Sequence, residues 1–413
     1  VRLDGFDKDD LPFTYDSTNH TVTLKKIDIS NIDTKGDFAA LAIAMSCTLG
    51  GALQNQNDFT TAVNASLYSS TINITNNINM SGTGIYSLTR DTNEVPTYSS
   101  ETAFKGTING NKHTITLNSG EPYGYRKENE SIKEIKDTAV DGSGQIYDHT
   151  FIGLLTLTQG AKINDLTIKG NFNAEAIKKT VTVGGISAKT SGLTLSNVTV
   201  KSNIAVKRNG GDAVDAVVGG FVGSADGAQI TAQGCKLGDG DEKSTLSITG
   251  NTGKAAQIGG FVANAQNPTT LNITNMAING VEIQSDTTGT AGGFLGYSWD
   301  NATVTLGDST NPGVTVINSS LNYTNNATFG GMVNTGAGYW QVNNNGIVYD
   351  SGVSFTGGTN DTTPTGFIVS NGVPADTDRA LYLEILPNGY VINNTNDTKA
   401  ITLSGGLSST TPN

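Results

Sequence analysis

From Gly153 to Gly366 the chain repeats one arrangement of apolar and polar positions. It is clearest in Val218–Leu237, VGGFVGSADGAQITAQGCKL, and in Ile258–Ile278, IGGFVANAQNPTTLNITNMAI. A glycine, usually the second of a pair, opens each unit at Gly153, Gly185, Gly220, Gly260, Gly293, Gly331 and Gly366, with 32 to 40 residues between successive anchors. Repeats of this length build solenoids or propellers, and the uneven spacing suits a solenoid whose loops accept insertions. After each of the first four anchors comes apolar-x-apolar, two residues, apolar-x-apolar. The instances are Ala161–Ile163 with Leu166–Ile168, Leu193–Leu195 with Val198–Val200, Ile230–Ala232 with Cys235–Leu237, and Leu271–Ile273 with Met276–Ile278. Alternation at period two is strand, and the two-residue break is a corner that keeps the next apolar residue on the inside. The second corner residue is Asp165, Asn197, Gly234 or Asn275. These types tolerate a left-handed backbone, and Asn stacked at such a corner can bond to its neighbours above and below.

The predicted fold is all-β, a right-handed parallel β-helix (solenoid) with an N-terminal capping α-helix. Coils about 4.8 Å apart give a stack on the order of 40 Å long. The pattern loosens after Gly293: Val304 and Leu306 begin it, Gly307–Pro312 interrupts it, and Trp340 and Val342 resume it loosely. The glycine pair serves either a turn or a close approach of backbones. The capping helix is expected over residues 35–49, with Thr34 and Asp37 as a capping box, Phe38, Leu41, Met45 and Leu49 on one face, and Gly50 as its stop. Such a helix shields apolar stacks and open strand edges. Residues 1–30 read as a β segment with a hairpin over Phe13–Ile29, residues 31–375 as the β-helix with an inserted loop at 119–150, and residues 376–413 as a C-terminal cap with two strands around Asn388-Gly389.

Composition agrees and removes some functions. Glycine is abundant at 51 residues, charged residues are 15%, and β-branched types are plentiful, which favours a folded β protein over a disordered acidic one. A net charge of −12 repels nucleic acid and anionic lipid, so neither is an expected partner. No apolar run is long enough for a transmembrane helix. The first residue, Val1, points to a processed or trimmed chain, so the lack of a signal peptide carries no weight on compartment. The two cysteines, Cys47 and Cys235, both sit in apolar patterns and read as buried thiols.

The helix DTKGDFAALAIAMS, the strand TINITNNINMSG and FKGTINGNKHTITL at Phe104–Leu117 stand in the order seen in bacterial GLUG-repeat β-helix proteins, and the later GGFVG units are similar to their glycine-rich repeat. The resemblance covers roughly residues 30 to 370. It implies an exported cell-surface or extracellular protein of the adhesin type, as found in Bacteroidota, and brings no catalytic motif with it.

Such a scaffold admits more than one chemistry. The alternative function is a polysaccharide lyase or glycoside hydrolase, since parallel β-helices host both, and a third is a purely structural stalk. A glycosidase needs paired carboxylates flanking the sugar. The chain has Asp9-Asp10 near its start but no G-H-G or R-I-K, and no H-E-x-x-H, C-x-x-C or G-x-S-x-G. His20, His113 and His149 lie outside the regular coils. No cofactor is expected. Calcium is the one metal left open, with Asp239, Asp241 and Glu242 of LGDGDEK as ligands, although a solvated turn accounts better for these acids, as it does for Asp212 and Asp215.

Binding is the better-supported activity, with a glycan or a host or cell-surface protein as partner. The loop at 119–150 carries Tyr123, Tyr125, Arg126, Lys127 and Tyr147, against the plainer reading of a solvated flap. A second loop, Gly84–Ala103, holds Tyr86, Arg90 and Tyr98. Tyr297 and Trp299 follow one anchor and Tyr339 and Trp340 the next, so adjacent coils are expected to bring them together as a stacking platform for sugar rings. The alternative is that one of each pair points into the core.

Overall fold

The computed structural model describes residues 5–46, 67–89, 103–119, 151–176, 180–208, 215–250, 256–285, 289–298, 302–317 and 319–323, together with the backbone course of further strands at 124–128, 131–135, 328–335, 338–342, 347–349, 354–356, 365–370, 381–385, 391–393 and 403–404. Two large parallel sheets dominate, of 20 and 13 strands among the described residues. A two-stranded hairpin pairs Phe13–Asp16 with Thr21–Leu24, as the sequence predicts.

One repeat shows how the sequence makes these sheets. Val181–Gly184 leads into the glycine pair, and Ser187–Ser196 continues in the same sheet. The chain then turns at Asn197 and runs through Thr199–Arg208 in the second sheet. Each part pairs in parallel with its counterpart in the next repeat. Val183, Val218, Ile258 and Ala291 stand in one register column. Leu193, Ile230, Leu271 and Val304 form another. In the second sheet Val200, Leu237, Ile278 and Val316 align, as do Ile204, Leu246 and Ile283. All of these side chains are buried, so columns of like residues make one continuous core between the sheets.

The corner residues adopt the backbone that the sequence calls for. Asp165, Asn197, Gly234 and Asn275 have φ of 49°, 53°, 66° and 52°. The glycine pairs have a different reason. The φ angles of Gly184, Gly185, Gly219 and Gly220 lie outside the left-handed region, but a Cβ on Gly220 would stand 2.1 Å from the Gly260 carbonyl oxygen and 2.8 Å from a Leu237 methyl. The pair is there for close packing, both between repeats and across the core to the second sheet. Phenylalanines follow it: the rings of Phe221 and Phe261 lie 5.2 Å apart and those of Phe261 and Phe294 5.3 Å apart, all fully buried.

The upstream strands are repeats too. Ile72 aligns with Ile108 and then Ile163, and Ile78 with Ile115 and then Ile168. Helix α1 spans Lys35–Ser46, within the expected 35–49. Thr34 caps it: its hydroxyl oxygen accepts the Asp37 N–H at 3.1 Å, and both the Asp37 and Asp10 carboxylates lie within hydrogen-bonding reach of that hydroxyl. Lys25 bridges the same two carboxylates at 2.8 and 3.1 Å, tying the segment after the hairpin to the helix N-terminus. Phe38, Leu41 and Met45 are buried in the cluster that contains Ile72, Ile74 and Ile78.

One expectation changes. The interruption after Leu306 is an insertion, not a loss of pattern. Val304 and Leu306 pair with Leu271 and Ile273, and Val314 and Val316 resume opposite Met276 and Ile278. Between them Asp308 accepts hydrogen bonds from the Asn311 amide and from the Thr310 and Asn311 backbones, which hold its carboxyl well below the usual range. Strands flank Asn388-Gly389 as expected. Leu381–Ile385 and Val391–Asn393 extend the two sheets, pairing in parallel with Gly338–Val342 and Ile347–Tyr349.

Candidate functional site

Of the proposed aromatic platform, Tyr297 is a half-buried residue in the strand Leu295–Ser298. Its register partner is Asn264, behind which stand Ser224 and Lys189, so it continues a polar column. Lys189 pairs with Asp226 at 3.2 Å, and the Asn267 amide donates to the same carboxylate. Asn264 is 4% exposed and its Oδ1 has no hydrogen-bond partner among the described residues.

Tyr339 and Trp340 lie in Gly338–Val342, paired with Thr303 and Val304. The strand of Tyr297 is followed in the next repeat by Thr328–Thr335, through Leu295 and Val333. The two aromatic groups therefore occupy different strands of the repeat, and the register does not bring Tyr297 together with Tyr339 as the sequence reading expects. Trp340 continues the column of Leu193, Ile230, Leu271 and Val304, whose described members are all buried. Tyr339 continues the column of Gln229, Thr270 and Thr303, none of which is buried. Trp299 lies outside the described residues.

The inserted loop has more order than expected. Gly124–Glu128 and Ser131–Ile135 form an antiparallel pair, with Tyr125 opposite Glu134 and Arg126 opposite Lys133. Tyr123 and Tyr147 lie outside the described residues, as do Arg90 and Tyr98 of the second loop. Tyr86 is only 3% exposed and belongs to the core, so it is not a surface aromatic.

The acidic turn LGDGDEK has a structural use. It is an insertion between Lys236–Leu237 and Ser244–Gly250, opposite one unbroken strand, Thr199–Arg208, in the preceding repeat. Asp239 pairs with Lys201, and Glu242 reaches Lys169 two repeats back at 2.7 Å. The hydrogen bond from Lys169 lowers the Glu242 pKa. Lys243 pairs with Glu282 on the other side. The turn is thus fastened across the second sheet by lysines rather than gathered around a cation, and no group of three or more metal-ligating side chains occurs among the described residues. His113 donates its backbone N–H to Gly110 and accepts one from Thr167, serving the corner of its repeat. His20 lies at the hairpin turn beside the Tyr15 hydroxyl. Cys235 fills a core slot, where burial pushes its thiol up to about 11. Cys47 and His149 lie outside the described residues.

Sequence reasoning placed stacked amides at the second corner residue and missed the further amide ladders that join repeats. Asn109 donates to Asn73 at 2.9 Å and Asn164 to Asn109 at 3.1 Å, while Asn203 donates to Asn171 at 3.1 Å. The recurrent TIN and KIN triplets were the available signal. No model of a known protein family matches the chain, and no curated protein matches it. No helix among the described residues is long and apolar enough to cross a membrane.

Proposed function

We propose that this chain is a non-catalytic, exported cell-surface protein of the adhesin type. Its parallel sheets wind as a right-handed β-helix closed at the N-terminal end by α1, and its loops and outward side chains bind a glycan or a protein of a host or neighbouring cell. The observation that carries this reading is the strand-for-strand parallel register, which runs from Thr71–Asn73 through every repeat and makes a rigid support for outward groups. The sequence resemblance to GLUG-repeat β-helix proteins supports the same location and role. The use made of the acids supports it further: Asp226, Asp239, Glu242 and Glu282 are each paired with a lysine, and Asp165 and Asp308 with corner or turn amides.

Glycan-array and cell-binding measurements on the intact chain test the reading, repeated with Tyr297→Ala, Trp299→Ala and Trp340→Ala. Trp340→Ala is read beside a melting curve, because its position continues a buried column. Retention of a defined glycan or cell-surface protein is the expected result, weakened at least tenfold by Tyr297→Ala or Trp299→Ala. No retention of either partner class would overturn it.

A further inference from the structure

The first-sheet segments that lead into the corners differ in charge from the second sheet. In the second sheet the strands carry Lys169, Glu175, Lys201, Lys207, Lys236 and Glu282, none of them buried. The first sheet contains a run of seven segments that lead into the corners: Thr71–Asn73, Thr107–Asn109, Ala161–Asn164, residues 192–196, residues 229–233, Thr270–Thr274 and Ala302–Leu306. Their inward positions are apolar and buried, and Lys162 is the one charged residue among them. Lys162 apart, the outward positions are hydroxyls and amides in register columns, one running from Thr71 and Thr107 through Lys162, Thr194, Thr231 and Asn272 to Thr305. In a chain of net charge −12, these seven segments hold no carboxylate.

We infer that this carboxylate-free face is a docking surface for a neutral polysaccharide lying along the stack. The inference rests on the adhesin reading and names the surface and ligand class for it. Hydroxyl and amide side chains both donate and accept, so they can match hydroxyl groups on a polymer without fixing one orientation. The columns repeat at about 4.8 Å, close to the length of one pyranose unit, and seven strands extend on the order of 30 Å. A protein partner is disfavoured because such interfaces depend on aromatic, apolar or arginine anchors, and the described outward positions of these segments hold none. An anionic polymer finds one lysine there. The Gln229–Thr270–Thr303 column continues into Tyr339, which supplies an aromatic residue to the same register row.

The test is retention of the intact chain on β-glucan, chitin and α-mannan, with polygalacturonate as the anionic comparison, by affinity electrophoresis and pull-down. Thr194→Glu with Thr231→Glu places charge in the middle of the face at two exposed positions. Thr194→Val with Thr231→Val removes the hydroxyls and keeps the strand. Thr249→Glu, exposed on the second sheet, is the control. The expected result is binding to a neutral polymer, weakened at least tenfold by the glutamate pair, weakened by the valine pair, and unchanged by Thr249→Glu. Equal binding by both pairs overturns the surface and leaves the adhesin reading standing. Binding of the intact chain only to polygalacturonate, or to none of the four polymers, overturns the ligand class.

Discussion

Asn197 donates its side-chain amide to Asp165 Oδ1 at 3.0 Å, across two successive repeats, and both residues hold a left-handed backbone. That bond joins the two requirements of the corner. The residue must tolerate positive φ, and it must satisfy its neighbour in the stack. Gly234 meets the first requirement without the second, and Asn275 meets both, donating to Asn311 at 3.0 Å.

Asn197→Val should therefore lose more stability than Asn197→Gly. The left-handed conformation costs a side chain with a Cβ about 1–2 kcal/mol, and the lost bond about 1 kcal/mol more. Asn197→Asp removes the donor and sets a second carboxylate beside Asp165, so it should also fall below Asn197→Gly. Urea midpoints of the three variants decide the order. Val198→Asp buries an unpaired charge and should exceed all of them by several kcal/mol.

The phenylalanine stack should be as sensitive as any core site. Phe261 lies between Phe221 and Phe294, and Phe261→Ala should cost about 3–5 kcal/mol, with Phe261→Leu milder. Denaturant unfolding measures both.

Gly220→Ala tests the packing account of the glycine pair. Its φ is ordinary, so a turn role predicts little effect from a methyl group. The contact with the Gly260 carbonyl predicts clear destabilisation, read as a lower melting temperature.

Cys235 should resist thiol reagents in the folded chain. In a Cys47→Ser background, labelling at pH 8 should follow unfolding rather than mixing. Burial raises the thiol from 9.0 to about 11, so the folded state disfavours the thiolate. Stability from this group is complete below about pH 9 and declines as pH rises towards 11. Cys235→Val should lack that component of the alkaline loss.

Much of the scaffold was legible because its periods are short and strict. Alternation gave the strands around Leu193–Val200 and Ile230–Leu237, and the two-residue break located the corners, since only a few residue types accept their backbone. The insertion after Leu306 hid Val314 and Val316 because it broke the spacing without breaking the stack. The two strands around Asn388-Gly389 were legible as strands, but a local turn signal does not reveal that each has its partner in the previous repeat. The binding residues were the least legible. Exposed aromatics are named from sequence without knowing which way a strand faces, and Tyr86 and the separation of Tyr297 from Tyr339 show the consequence.

The most direct measurement incubates the intact chain with the glycan or polysaccharide it retains best and then sizes the ligand by mass spectrometry. Saturable retention with the ligand recovered at its original length is the predicted result. New reducing ends or unsaturated ends accumulating with time would contradict the account, because the chain would then be an enzyme.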